Sequence, residues 1–264
     1  PALASALRMA ADDGLVDVVG AWSHMSRADD PSEAGNASTA SHVRIFEEGL
    51  AILADAGVTP RIRHLSATSG ILWHREAHYD MVRAGIGLYG LSPDPAVATS
   101  EQLGLTPALE LRAPLTSVKV IEEGTPASYG GTWVAPTRRW IGLVPLGYGD
   151  GILRAASNQA RVVVHTASGP FNAPLIGRVC MDQFMVDLGP AEGSPGTPTA
   201  RSGQAPAIPG DIATLFGSGI GGEALADDWA QAAGTINYEI VTHLGAHIPR
   251  IYRDGADATF GSNS

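Results

Sequence analysis

The chain has 264 residues, 44% of them hydrophobic and 17% charged, with a mean hydropathy of +0.05; this supports a sizeable core in one large domain or two smaller ones and excludes global disorder. A net charge of −10 with no block of like charges argues against nucleic acid or an anionic membrane as the main partner. One cysteine, Cys180, excludes an intrachain disulfide and a multi-cysteine metal site and fits a reducing cytoplasm. No apolar run reaches the roughly 18 residues that span a bilayer, and no secretory leader is read at the start.

Residues 1–105 read as alternating helices and strands. The Ala-rich stretch Leu3–Asp13 predicts a helix that stops at Gly14. Leu15–Trp22 is a near-continuous apolar run, as in a strand covered on both faces. After a loop over Pro31–Asn36, apolar residues at Val43, Phe46, Leu50 and Leu53 predict a helix over Ala37–Ala56. Arg61–Leu65 predicts a short strand, Ile71–Tyr79 a helix, and Met81–Leu91 a Gly-interrupted final strand and turn. This alternation predicts right-handed crossovers and a parallel sheet. A complete barrel of eight such units needs about 250 residues. The stretch is therefore either a small open sheet or the trailing part of a barrel that begins upstream of Pro1.

Residues 106–264 change character. Short strands are predicted over Leu115–Ile121, Trp140–Leu146, Arg161–His165, Phe184–Leu188 and Asp211–Phe216. Gly189–Pro209 reads as a Gly/Pro/Ser-rich loop without function, Glu223–Ala233 as an amphipathic helix and Thr235–Val241 as a last strand region. The expected fold class is an α/β barrel portion (its C-terminal strands) followed by a mostly β domain.

Ligands of parallel sheets bind beyond the carboxyl ends of the strands. The first run delivers Ser23, His24 and Asp29 there, the second Ser66, Thr68 and Ser69, the third Arg83, Gly85 and Ile86. Glycines and hydroxyls suit a phosphate, because small residues let backbone N–H groups approach its oxygens. Arg83 is a permanent cation. Singly, each residue also fits a structural role: a satisfied histidine, a surface ion pair, a helix cap at Thr68 or Ser69. Three groups on one rim raise the weight of a site. In the second half, SYGGTW places Tyr129, GYGDG places Tyr148, and GRVCMDQ places Arg178, Met181 and Asp182. INYE places Tyr238 beside Ile236.

VRAGIGLYGL, ASYGGTW, VPLGYGDGI and GRVCMDQFMVDLG, in this order, together with WSHMSRAD and TINYEIV, strongly resemble bacterial alanine racemase. The resemblance runs essentially from end to end. It implies a pyridoxal-phosphate enzyme of fold type III, an eight-stranded α/β barrel followed by a β domain, cytoplasmic and working as a head-to-tail homodimer with shared sites on small amino acids, with no metal. The family's cofactor lysine lies on the first barrel strand in a motif absent here. The only lysine, Lys119, falls in the β domain. That N-terminal part is expected upstream of Pro1, and the chain alone is expected to be inactive. The family's Asn-Ser-Ala reads Ala67-Thr68-Ser69, so Thr68 takes the serine's place and keeps a hydroxyl.

By the resemblance, Tyr129 serves as the base for L-alanine from the partner subunit, and the upstream lysine serves D-alanine. A tyrosine is a weak base at its ordinary pKa of about 10. The resemblance offsets this with a hydrogen-bond chain Tyr129–His24–Arg83. His24 lies against the cofactor ring and Arg83 donates to the pyridine nitrogen. Thr68, Gly85, Ile86 and Tyr238 hold the phosphate. Met181 offers its backbone N–H to the substrate carboxylate with Asp182 in support. Tyr148 and Tyr238 narrow the entrance, and Asp29, Arg154, Arg178 and Ile236 line its outer corridor. Cys180 is expected to be buried scaffold. The alternatives are a broad-specificity racemase, a decarboxylase of the same barrel type, or, for this chain alone, an inactive dimerisation or binding module. Arg83, in place of a carboxylate, argues against the decarboxylase.

Overall fold

A computed structural model describes residues 1–191 and 205–253; most of the expected loop over Gly189–Pro209 lies outside the described residues. The chain divides into two compact units, Pro1–Ala108 and Leu109–Ser264.

In the first unit, α1 (Ala2–Asp12) forms on high-propensity alanines and ends before Gly14 at φ +70°. Arg8 pairs with Asp12 one turn on and donates to Gly57 O at 2.9 Å, docking α1 beside the end of the second helix. That helix, α2 (Glu33–Asp55), starts four residues before the expected Ala37. Ser32 Oγ accepts the Gly35 N–H at 3.1 Å as an N-cap, and a Cβ at Gly35 would stand 2.2 Å from Asp30 O. The Pro-Ser-Glu-Ala-Gly stretch that reads as a loop is a capped first turn. Strands β1 (Gly20–Trp22) and β2 (Ile62–His64) pair in parallel, Gly20 opposite Ile62 and Trp22 opposite His64, with α2 as their crossover. Met25, Ala28, Phe46, Leu65 and Ala77 form the core over which α2 closes.

Two expectations for this unit fail. The run Leu15–Trp22 yields only a three-residue strand, with Leu15 75% and Val19 45% exposed. Val16 and Trp22 are likewise 44% and 66% exposed, so the run is not covered on both faces. Met81–Leu91 forms no strand. Asp80 and Met81 both donate to Arg63 O (3.0 and 3.3 Å), Arg83 N–H donates to Ser66 O at 2.9 Å, and a 3₁₀ turn follows over Ile86–Tyr89. One carbonyl taking two donors breaks the alternation a ladder needs. The helix expected over Ile71–Tyr79 starts earlier and is shorter, as α3 (Thr68–Trp73) followed by a 3₁₀ turn, Arg75–Ala77.

The second unit is built on a seven-stranded sheet of β3 (Leu111–Pro114), β4 (Ser117–Ile121), β7 (Arg139–Val144), β8 (Arg161–Thr166), β9 (Gly169–Ile176), β10 (Phe184–Pro190) and β11 (Ile212–Phe216). Their spatial order is β3-β11-β8-β9-β10-β7-β4, every pair antiparallel. A small hairpin, β5 (Pro126–Ala127) and β6 (Trp133–Val134), forms a separate ladder whose Ala127 and Trp133 pack on Ile141 and Ile176 of the large sheet. Val162, Val164, Leu175, Phe184, Val186 and Leu215 are fully buried. Trp229 of α4 (Ala226–Ala233) caps them, its indole N–H donating to Leu215 O at 2.6 Å. Strand β9 escapes the sequence reading because Pro170 and Pro174 interrupt it; both fall where β10 makes no ladder bond to it, and that pairing is confined to Leu175 and Ile176.

The predicted helix over Glu223–Ala233 starts only at Ala226. Glu223 is instead 5% exposed, its carboxylate accepting Gly219 N–H at 3.0 Å and Ser218 O–H at 3.1 Å, which wraps the preceding turn around it. Those donors hold its pKa below the ordinary glutamate value against the opposing pull of burial. The strand region expected over Thr235–Val241 is a helix, α5 (Asn237–Thr242). The Thr235 hydroxyl donates to the Glu239 carboxylate, and buried Asn237 and Ile240 pack the helix on α4; tertiary packing overrides the β-branched composition.

Candidate functional site

In the first unit the strand ends hold one connected cluster. Arg83 lies at its centre. Its NH1 donates to His64 Nδ1 at 2.8 Å and its NH2 to Ser23 O (3.0 Å), Leu65 O (3.1 Å) and His24 Nδ1 (3.1 Å). The guanidinium thus ties together the chain leaving β1 and the chain leaving β2. Its carbon sits 5.3 Å over the Trp22 ring, and that ring stacks on His64 at 6.0 Å with a 4° interplanar angle. Among the described residues Arg83 has no carboxylate partner, and its Nε–H has no acceptor. Partial burial, reinforced by the Arg83 charge, holds the His64 pKa below the ordinary histidine value; the imidazole stays neutral and keeps Nδ1 as an acceptor.

Beside this cluster Thr68, 5% exposed, turns its Oγ1 to the N–H groups of Gly85 (3.1 Å) and Gly87 (3.3 Å). A Cβ at Gly87 would press on Thr68 Cγ2 at 3.0 Å, whereas one at Gly85 would meet only Thr68 Oγ1 at 3.9 Å. The backbone at Gly85 faces open space, and the Ile86 N–H has no partner among the described residues. His24, Thr68, Arg83, Gly85 and Ile86 therefore gather on one rim. Asp29 does not join them; it is exposed in the turn after His24, with no hydrogen bond to the group. The sequence analysis did not name His64, which the structure places in this cluster. Its position at the end of β2 is the signal that could have found it.

In the second unit, three loops are stitched into one surface. Ser128, at the non-glycine φ of +62°, donates to Arg178 O at 2.6 Å with its Oγ 3.3 Å from Cys180 Sγ. Tyr129 follows it, 73% exposed. The Arg178 guanidinium covers Gly130, where a Cβ would stand 2.9 Å from NH1. Tyr148 N–H donates to Cys180 O (3.0 Å) and Gly149 N–H to Met181 O (2.8 Å). A side chain at Gly147 would collide with both of those carbonyls at 2.3 Å. Met181 is 56% exposed, its N–H has no acceptor among the described residues, and Asp182 beside it is exposed. Ile236, 60% exposed, caps α5, which carries half-buried Tyr238. Arg154 opens the 3₁₀ turn Arg154–Ala156, against which α4 packs. Cys180 is half-buried rather than fully buried, because its loop lies at the surface of this group.

Family models for alanine racemase match both units, the N-terminal domain over residues 1–93 and the C-terminal domain over 108–252. An alanine racemase of Salinispora tropica is 42% identical over 96% of this chain and 61% of its own length. One of Beutenbergia cavernae is 45% identical over 93% of the chain and 59% of its own length. The crystal structure of alanine racemase from Streptomyces lavendulae superposes with a TM-score of 0.83 at 40% identity, covering 96% of this chain and 61% of that one. The alanine racemase of Bacillus anthracis, with bound L-Ala-P, gives 0.76 at 29% identity over 94% and 58%. The chain spans about three-fifths of the length of the curated relatives it matches.

Proposed function

This chain belongs to the alanine racemase family, and from that premise we propose that it carries the cofactor cradle and one acid–base residue of a pyridoxal-phosphate enzyme that interconverts L- and D-alanine in the cytoplasm. The observation that carries the reading is Arg83: a partly buried, permanently charged side chain with no anion beside it and an Nε–H left over. An aromatic ring nitrogen is a fitting acceptor for that donor. The Thr68–Gly85–Ile86 corner fits a phosphate, since the Thr68 hydroxyl, which accepts from Gly85 and Gly87 and has its own O–H to donate, lies beside the Ile86 N–H, with open space in front of Gly85.

When bound, pyridoxal phosphate supplies an electron sink that makes the Cα–H of an attached amino acid acidic. The chain's residues then do the following. Thr68, Gly85, Ile86 and Tyr238 hold the phosphate. Arg83 holds the ring nitrogen by a hydrogen bond and keeps its own proton, because a guanidinium is not deprotonated in a protein. His24, 3.1 Å from Arg83, lies against the ring and relays the positive field toward Tyr129. Tyr129 moves the proton at Cα on the L face, and the base for the other face lies outside the motifs of this chain. Met181 N–H binds the substrate carboxylate, with Asp182 in support. Tyr148 and Tyr238 narrow the approach; Asp29, Arg154, Arg178 and Ile236 line it farther out.

The second unit serves the site of a partner subunit in a homodimer. The 73% exposure of Tyr129 supports this, because a base needs a dry surrounding that its own unit does not supply. The test uses protein purified at its native length from its own organism. Incubated with L-alanine and pyridoxal phosphate, it forms D-alanine, measured with D-amino-acid oxidase, and its Arg83→Ala variant does not. No D-alanine from the unaltered protein would overturn the reading.

A further inference from the structure

We propose that Asp150, backed by His247, is a positioning residue that aims the Met181 N–H and the Tyr148 ring. The proposal rests on the reading above of Met181 and Tyr148 as substrate-facing. Asp150 lies in the GYGDG turn, and its side chain is only 17% exposed. One carboxylate oxygen accepts the Gly147 N–H at 2.7 Å, and the other faces His247 Nε2 at 2.7 Å. Its backbone carbonyl accepts the Gly245 N–H at 2.9 Å, so the turn and the segment bearing His247 are held at two points.

What the turn does with that rigidity follows from peptide geometry. Tyr148 N–H donates to Cys180 O, and Gly149 N–H to Met181 O. Cys180 O and the Met181 N–H belong to one planar, trans peptide unit, so they point in opposite directions. Fixing the carbonyl on Tyr148 fixes where the Met181 N–H points. The glycine at 147 lets the turn lie directly on these carbonyls. Asp150 anchors the turn from behind by holding the N–H at its start. The chain of action runs from His247 through Asp150 and Gly147 to Tyr148, the Cys180 carbonyl and the Met181 N–H. Neither Asp150 nor His247 touches the substrate in this arrangement.

The experiment has two arms on the same native-length, cofactor-loaded protein. In the first, Asp150→Ala and His247→Leu are compared with the unaltered enzyme for alanine racemisation. A freed Met181 N–H weakens carboxylate binding, so KM rises about tenfold in Asp150→Ala, the loss of one charge-assisted hydrogen bond, and more than kcat falls. His247→Leu moves the same way by a smaller factor, and His247→Arg, which can still donate to Asp150, restores the unaltered KM. A kcat loss equal to or larger than the KM rise, or no change in either, overturns the proposal. In the second arm, amide hydrogen exchange at Tyr148 and Gly149 quickens in Asp150→Ala relative to the β7 amides; unchanged relative protection overturns it. If the unaltered protein lacks racemase activity, the functional reading fails and the exchange arm still decides the positioning. If Asp150→Ala does not fold, His247→Leu, altered at a side chain 61% exposed, decides in both arms.

Discussion

Replacing Arg83 with methionine should loosen the first unit by an amount that its contacts set. The guanidinium holds His64 Nδ1, Ser23 O and Leu65 O at 2.8–3.1 Å, with an exposed fourth partner in His24. NH2 faces three acceptors with two hydrogens, so those bonds are shared. Charge-assisted hydrogen bonds contribute about 1.5–3 kcal/mol each. Two effective bonds, reduced because water reaches the partly exposed carbonyls once the guanidinium is gone, leave a loss of about 2–3 kcal/mol. Methionine keeps the apolar stem and fills similar volume, so the core of Met25, Phe46 and Leu65 stays packed. The strand pair β1–β2 opens as a local unit. Its amides should therefore exchange about 30- to 150-fold faster, read by hydrogen–deuterium exchange at Ser23 and Ile62, whose N–H groups bond across the pair to His64 O and Val19 O. Arg83→Lys keeps the charge but not the fork and should recover less than half of the protection. The His64 pKa should also rise in Arg83→Met, since one of the two causes that depress it is removed; imidazole proton shifts follow it directly. Exchange within twofold of the unaltered protein, with an unmoved His64 titration, would refute the placement of this guanidinium at the junction of the strands.

Two further outcomes follow. On the proposed function, Tyr129→Phe in the native-length protein should cut racemisation in both directions, because equilibrium fixes the ratio of the two rates. Solvent deuterium should still enter D-alanine without inversion, while its entry into L-alanine falls about 10²–10⁴-fold; equal slowing for the two enantiomers would remove Tyr129 from the L face. In the second unit, burial, helped by the Arg112 charge, depresses the His165 pKa below the ordinary histidine value. The unfolded chain then takes up the proton first as pH falls. The stability from neutral His165 is complete above about pH 6.5 and is lost as pH drops toward the folded-state pKa. Urea midpoints between pH 7.5 and 5.5 should show this loss, and His165→Gln should remove its part of the slope; an unaltered slope in that variant would contradict it.

The fold class was legible where local signals agree with tertiary demand. Short apolar runs set off by Gly and Pro placed β8 and β10 nearly to the residue, and the Ala-rich start of the chain placed α1. The failures share a cause. Thr235–Val241 has strand composition, yet the Thr235–Glu239 contact and burial of Asn237 and Ile240 make it a helix. Glu223 reads as a first-turn acid, yet it turns inward to collect donors from residues 218 and 219. In each case the deciding partner is a polar contact or a packed neighbour, which hydrophobic periodicity does not register.

The same division runs through the candidate site. Residues following a strand can be read because the chain itself carries them to the rim; His24 and Thr68 are of this kind, whereas Arg83 and Gly85 reach the rim from a segment that forms no strand. Their supports cannot be read that way. His64 earns its place through a residue 19 positions later, and His247 through one 97 positions earlier. Neither spacing belongs to any local period, so no window scan brings the partners together. A support of this kind has one signature in the fold: a polar side chain whose bonds join two segments that are remote in sequence but both reach the rim. Arg83 has it, between the ends of β1 and β2. Asp150 has it too, between the Gly147 turn and the segment that bears His247. Supports of this kind are thus sought by asking which segments a bond connects, and candidates for the chemistry by asking which residues reach the rim.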